Sequence, residues 1–181
     1  MRDPTTYKRI VESYSDMVFR IAINQMRNRA DAEDVTQSIF LKAYLKAPEG
    51  IGDEEIKRWL IRVTINECKS ILRSVWHKRV DLKDALSPDH SETQEENYEA
   101  LQEALDSLSK KSRIVVHLFY FEGYSTAEIA EILDIKEDAV RTRLTRARKL
   151  LKTKLEEVGY GRLEEVPADD GTGARLRRAL G

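Results

Sequence analysis

Apolar residues recur through most of this chain at intervals of three and four, the spacing that lines one face of an α-helix. Ile10, Tyr14, Met17, Val18 and Ile21 predict a first amphipathic helix that ends near Arg27, Asn28 and Arg29. Asp31 is placed to cap a second helix, in which Val35, Ile39, Phe40, Ala43 and Tyr44 face a core while Asp34 and Gln37 lie one turn apart on another face. A third helix, from Asp53 to Lys78, turns Ile61, Ile65, Cys68, Leu72 and Val75 inward, and Trp59 and Val63 widen the buried surface. The expected fold class is all-α, with this N-terminal part a helical bundle.

The pattern changes character after residue 124. Ser125 is placed to cap a short helix with Glu128 at its third position, the capping-box spacing, and Ile129, Ala130, Ile132 and Leu133 give it a buried face. Asp134 breaks the run, Ile135 plugs the core, and Glu137 and Asp138 put negative charge at the positive end of a new helix. In that helix Val140, Leu144, Ala147 and Leu151 form the packed stripe. Arg141, Arg143, Arg146, Arg148, Lys149, Lys152 and Lys154 must then point elsewhere. A basic helix face is often only a solvated one. Here a short helix and a tight turn precede it, and the small Ala130 permits close approach, so the pair reads as a helix-turn-helix whose second helix suits a DNA major groove. Arginines there reach phosphates on the groove walls and guanine edges on its floor.

Charge sharpens this division. The chain of 181 residues has a formal net charge of -1, but the two signs are segregated. Between residues 81 and 106, nine carboxylates from Asp81 to Asp106 face Lys83 alone, and Ser87, Pro88 and Asp89 bring turn chemistry. Basic groups gather instead on the last helix and between Arg58 and Arg79. There Arg58, Arg62, Asn66, Lys69, Arg73 and His77 recur every three or four residues as a single row. On pattern alone that row fits a solvated face as well as a nucleic-acid groove. The expected organisation is a domain at 1–80, an acidic linker at 81–99, a helix-turn-helix domain at 100–155 and an extension at 156–181 that carries no assigned role.

Composition removes other classes. No apolar run is long enough to span a bilayer and no stretch reads as a signal peptide, so the expected site of action is the cytoplasm. One cysteine, Cys68, allows neither an intramolecular disulfide nor a cysteine-based zinc cage. The histidines, His77, His90 and His117, are scattered, and no Gly-rich phosphate loop, nucleophile elbow or HExxH occurs. Glu33 and Asp34 are adjacent and diverge on a helix, a poor start for paired-carboxylate chemistry. No catalysis and no cofactor are expected.

The stretch SRIVVHLFYFEGYSTAEIAEILDIKEDAVRTRLTRARKLLKTKL resembles region 4 of the extracytoplasmic-function sigma factors, with their EIA, V-R-[ST]-R and R-A-R pattern. It departs from them at Asp134, where a turn glycine is common, and at Glu137, Asp138 and Ala139, which replace Gly-Thr. DAEDVTQSIF is similar to region 2.2 of the same family, and WLIRVTINECKSILR to regions 2.3 and 2.4, with Ser38 and Ser70 standing where acidic residues are usual. The resemblance implies a bacterial transcription initiation factor with three sets of contacts. Asp34 and Gln37 would engage core RNA polymerase. Arg58, Arg62, Asn66, Lys69 and Arg73 would line a groove for the melted -10 element of promoter DNA, with Trp76 and His77 as stacking surfaces and the loop Ala47–Asp53 as the base-specificity loop. Arg141, Thr142, Arg143, Thr145, Arg146 and Arg148 would read the -35 element. It further implies an acidic linker in the polymerase RNA-exit path and an anti-sigma factor as antagonist. Two readings of other classes stay open: a helix-turn-helix regulator that works without polymerase, and a helical adaptor that binds no DNA.

Overall fold

The computed structural model describes residues 3–78 and 103–157, apart from the side chains of residues 75–78, 155 and 156. Those residues are helical with no strand among them, and the chain divides into two compact units, Met1–His90 and Ser91–Gly181. The predicted linker at 81–99 and nearly all of the extension at 156–181 lie outside the described residues, as do the side chains of Val75, Trp76 and His77.

The first unit is a three-helix bundle of α1 (Pro4–Met26), α2 (Arg29–Lys46) and α3 (Asp53–Lys78), each packed on the other two. Asp3 caps α1 by accepting from the Thr6 amide at 3.0 Å, and Pro4 follows where its missing N–H costs nothing. The helix stops at Arg27, which takes a left-handed φ of 58° and donates its amide to the Ile23 carbonyl. That turn leaves Asn28 extended, and its side chain accepts from the Asp31 amide at 2.9 Å. Asn28 is therefore the cap of α2. Asp31, expected to cap, sits in the first turn, where its charge still favours the helix dipole. Pro48 follows the C-cap Ala47 and prevents continuation.

The core of this unit joins Val18, Ile21 and Ala22 of α1, Val35, Ile39 and Ala43 of α2, and Leu60, Ile61, Ile65 and Cys68 of α3, all closed to solvent. Each of the larger aliphatics contributes about 1.5–3 kcal/mol by leaving water. The buried stripe of α3 is offset from the expected one. Ile56, Leu60 and Thr64 are buried, whereas Trp59, Val63 and Leu72 are only half-buried. Thr64 is admitted because its hydroxyl donates to the Leu60 carbonyl at 2.7 Å. The start of α3 is tied to α1, since the Tyr14 hydroxyl donates to the Asp53 carbonyl at 3.0 Å and Arg9 pairs with the Asp53 carboxylate at 3.2 Å.

In the second unit, residues 103–107 are helical, and α4 (Lys110–Val116) runs into a π-helical turn, His117–Phe121, before α5 (Thr126–Leu133) and α6 (Glu137–Glu157). Both α4 and α5 pack on α6. The wide turn is closed by the Glu122 amide reaching the His117 carbonyl at 3.2 Å. It presents His117, Leu118 and Tyr120 inward, and the imidazole of His117 stacks on Phe121 at 5.3 Å. Gly123, at φ 76°, then lets the chain double back into α5. Arg113 is buried, and its Nη2 donates to the Leu108 carbonyl at 2.9 Å, which stitches α4 to the segment before it.

Candidate nucleic-acid interface

The geometry of the helix-turn-helix follows from its caps. The Ser125 side chain accepts from the Glu128 amide while the Glu128 carboxylate accepts from the Ser125 amide, so both halves of a capping box are present. At the other end of α5, Asp134 adopts φ 53° in the left-handed region. The Ile135 amide donates to the Ala130 carbonyl and the Asp134 amide to that of Glu131, which together make a Schellman closure. Asp134 thus performs the turn that a glycine performs more cheaply, because aspartate tolerates this backbone better than most residues do. Ile129, Ala130 and Ile132 of α5 and Val140, Leu144 and Ala147 of α6 are buried, while Leu133, Ile135 and Leu151 are half-buried at the margins.

That packed stripe fixes what α6 presents outward. Arg141, Thr142, Thr145 and Arg146 are exposed, and Arg143 is half-buried. The hydroxyls of Thr142 and Thr145 donate to the Asp138 and Arg141 carbonyls at 2.7 and 3.0 Å, which leaves their oxygens as acceptors. Arg148 is placed differently. It is half-buried, its Nε donates to the Tyr120 hydroxyl at 2.7 Å, and its guanidinium lies 5.5 and 5.7 Å from the ring centres of Phe119 and Tyr120. Glu137, the first residue of α6, accepts from the Thr126 hydroxyl at 2.6 Å and from Arg141 at 2.9 and 3.2 Å. The Thr126 hydroxyl and then the Arg141 guanidinium hold its carboxyl below the ordinary glutamate range.

In the first unit, Arg62, Asn66, Lys69 and Arg73 fall on one exposed row of α3. Arg58 is half-buried at the head of the row, with its Nε 3.3 Å from the Glu54 carboxylate. The preceding loop turns at Gly50, whose φ of 71° suits a residue without a side chain.

The outward face of α2 holds Asp34 and Gln37, both exposed, and with them two residues that sequence reasoning missed. Leu41 and Leu45 are 60% and 53% exposed. They follow Asp34 and Gln37 at helical spacing, so the four residues form one ridge. The signal was present as leucines out of phase with the buried positions Val35, Ile39 and Ala43. Ser38 points instead toward α3. Its hydroxyl donates to Glu67 at 3.1 Å, and Lys42 pairs with the other oxygen of that carboxylate. Among the described residues no group of His, Cys, Asp and Glu is placed to hold a metal ion, and no helix is long and apolar enough to cross a membrane.

Each unit matches a known family. Residues 10–78 match the model of sigma-70 region 2, and residues 98–151 match that of sigma-70, region 4. The chain is 32% identical over 161 residues to the ECF RNA polymerase sigma factor SigL of Mycobacterium tuberculosis, a match that covers 84% of this chain and 90% of that protein. It is 31% identical over 160 residues to the probable RNA polymerase sigma factor RfaY of Xanthomonas campestris, where it spans 40% of the longer protein. Among solved structures, the sigma factor RpoE of Bartonella quintana, crystallised in complex with the anti-sigma factor NepR, shares the fold with a TM-score of 0.70. That likeness holds at 22% identity and covers 83% of this chain and 97% of that one. The chain belongs to the sigma-70 family of RNA polymerase sigma factors, within its extracytoplasmic-function (ECF) group.

Proposed function

We propose that this chain docks on bacterial core RNA polymerase, engages the -10 and -35 elements of a promoter with separate units and captures the melted -10 strand to start transcription. The observation that carries this reading is the outward face of α6, where Arg141, Thr142, Thr145 and Arg146 stand exposed while Val140, Leu144 and Ala147 lock the helix onto α5. A helix so held offers its N-terminal half to a major groove. Arg141, Thr142, Arg143, Thr145 and Arg146 read the -35 element, and Arg148, clasped by Tyr120, supports the helix from its packed side as well as lying near the phosphates.

Residues 1–80 form the unit for polymerase and the -10 element. Asp34 and Gln37 dock on core polymerase, and Leu41 and Leu45 extend that ridge with an apolar contact that a partner protein can desolvate. The row Arg58, Arg62, Asn66, Lys69 and Arg73 follows the backbone of the melted strand, as cationic grooves for single strands do. Residues 81–99 tether this unit to residues 100–155. Each unit binds weakly alone, and polymerase raises the effective concentration of the second once the first is seated. Opening the duplex requires no bond chemistry from the chain, because capture of unstacked bases offsets the cost of unpairing. The site of action is the cytoplasm, where polymerase works. An anti-sigma factor that covers the α2 ridge is the expected antagonist, and recovery of polymerase alone in every co-purification from the native host would count against it.

The test is to add the purified full chain to purified bacterial core polymerase on a promoter-bearing template. Promoter-specific transcripts are expected, and D34K with Q37A should abolish them by preventing docking. Stable binding to core without any promoter-specific transcript would overturn the reading.

A further inference from the structure

The start of α6 carries an anion where the helix is expected to meet a polyanion. Glu137 is its first residue, and its side chain is 38% exposed. Three donor atoms converge on one oxygen, Oε1: the Thr126 hydroxyl at 2.6 Å, Arg141 Nη2 at 2.9 Å and Arg141 Nε at 3.2 Å. Among the described residues nothing donates to the other oxygen, Oε2. The carboxylate is therefore clamped from two helices by one side and open on the other. Thr126 belongs to α5 and Arg141 to α6, so the clamp is part of the helix-turn-helix and does not depend on a flexible loop. The same contacts keep the group ionised, and an ionised carboxylate can only accept hydrogen bonds.

Few features of a duplex satisfy such a group. Phosphates and the acceptor atoms of guanine and thymine repel it. The donors on the floor of the major groove are the exocyclic amines, and a carboxylate side chain characteristically accepts from N4 of cytosine. The N-terminal residues of a recognition helix are the ones that reach base edges. Arg141, held against Oε1, offsets the charge of Glu137 against the flanking phosphates and fixes the direction of its second oxygen.

We propose that Glu137 is a specificity-determining residue: its Oε2 accepts the amine of a cytosine at one position of the duplex element bound by α6, with Thr126 and Arg141 as the residues that aim it. This inference rests on the promoter-reading role proposed above. It differs from a purely structural role for the same clamp, in which Glu137 only staples α5 to α6.

The experiment is transcription by core polymerase and the full chain from a template library in which the -35 element is randomised, with transcripts counted by template sequence. The wild type is expected to select cytosine at one position. In E137Q that preference should fall by ~10-fold while other positions keep theirs, the magnitude of one good base contact. T126V keeps the carboxylate and removes one of its aiming donors, so it should lower the cytosine preference by less than E137Q does; a preference left at the wild-type level in T126V would overturn the aiming role of Thr126. An even loss of yield across all sequences in E137Q, with the base profile unchanged, would overturn the inference and leave the staple. Wild-type chain that makes no promoter-selective transcript would instead defeat the promoter-reading role, and the inference with it.

Discussion

Helices α3 and α6 are both long, both amphipathic and both basic on the outside, yet they present charge in different ways. In α3 the row Arg62, Asn66, Lys69 and Arg73 holds cations and one amide; its acidic residues lie off that row, Asp53, Glu54 and Glu55 in the first turn and Glu67 turned toward Ser38 and Lys42 of α2. In α6 the outward face opens with Glu137 and Asp138 and continues through alternating arginines and threonines, so donors and acceptors are interleaved. A uniform cationic row attracts any phosphate backbone and carries little sequence information, whereas mixed donors and acceptors on a rigid helix can distinguish base edges. The difference suits one helix to a strand without fixed base geometry and the other to an intact duplex. The outward face of α2 is a third kind, with Asp34, Gln37, Leu41 and Leu45 and little to attract DNA, and it suits a protein partner.

The proposed division between protein-facing and DNA-facing helices breaks most visibly at α2. L41D with L45D should weaken binding to core polymerase on the order of 100-fold, as loss of a central apolar contact does, with the helical content of the chain intact. Calorimetric or fluorescence titration of core polymerase measures it, and unchanged affinity would move docking off this ridge.

On α6, R148A should cost about 1–3 kcal/mol of stability by removing the partner of the Tyr120 hydroxyl. Thermal melting reads this directly. Base preference should persist, because the guanidinium is held by Tyr120 and lies near the phosphates, which carry no sequence information; lost preference at full stability would make Arg148 a base-reading residue.

The contrast between α3 and α6 is sharpened by salt. R62A and R73A should each lower affinity for single-stranded promoter DNA uniformly across sequences and reduce the salt slope by about 0.7. T142A on α6 should instead alter base preference with the slope preserved.

The smallest effect concerns the brace between α2 and α3. The hydrogen bond from the Lys42 ammonium holds the Glu67 carboxyl below its ordinary value of 4.5; burial opposes it as the next largest effect, and the Ser38 hydroxyl adds a smaller lowering. A carboxyl whose pKa is lower when folded stabilises the fold above its ordinary value, and that contribution is lost as pH falls through the lowered one. E67Q should flatten the decline in melting temperature below about pH 4.5 while shifting neutral stability only modestly, since the pair is partly exposed.

Much of this was legible in the residues. The three-residue and four-residue spacing of Ile10, Met17, Val18 and Ile21 has one low-energy interpretation, and Ser125 with Glu128 announces a helix start by chemistry alone. Exposed polar positions such as Asp34, Gln37, Asn66 and Arg146 follow once the apolar stripe is set. What escaped depended on details of distance and depth. The wide turn at His117–Phe121 has no period of its own, so the run HLFYF reads as ordinary helix until the Glu122 amide is seen to reach back five residues. Arg148 reads as one more basic residue because only the fold brings Tyr120, 28 residues away, beneath it. Leu41 and Leu45 are hard to read from sequence because leucine on a helix usually faces inward, and only the fold shows both exposed. The cap of α2 moved from Asp31 to Asn28 because Arg27 adopts a left-handed turn that few arginines take.

The central claim is that promoter choice requires the basic face of α6 while polymerase holds the other unit in place. Its most direct measurement is mapping of transcript 5′ ends made by core polymerase with the wild-type chain and with R143E/R146E, on the same set of promoters. The variant is expected to bind core normally and to lose selective initiation, with yields down on the order of 100-fold at low salt. Start sites and yields unchanged by that double reversal would contradict the account.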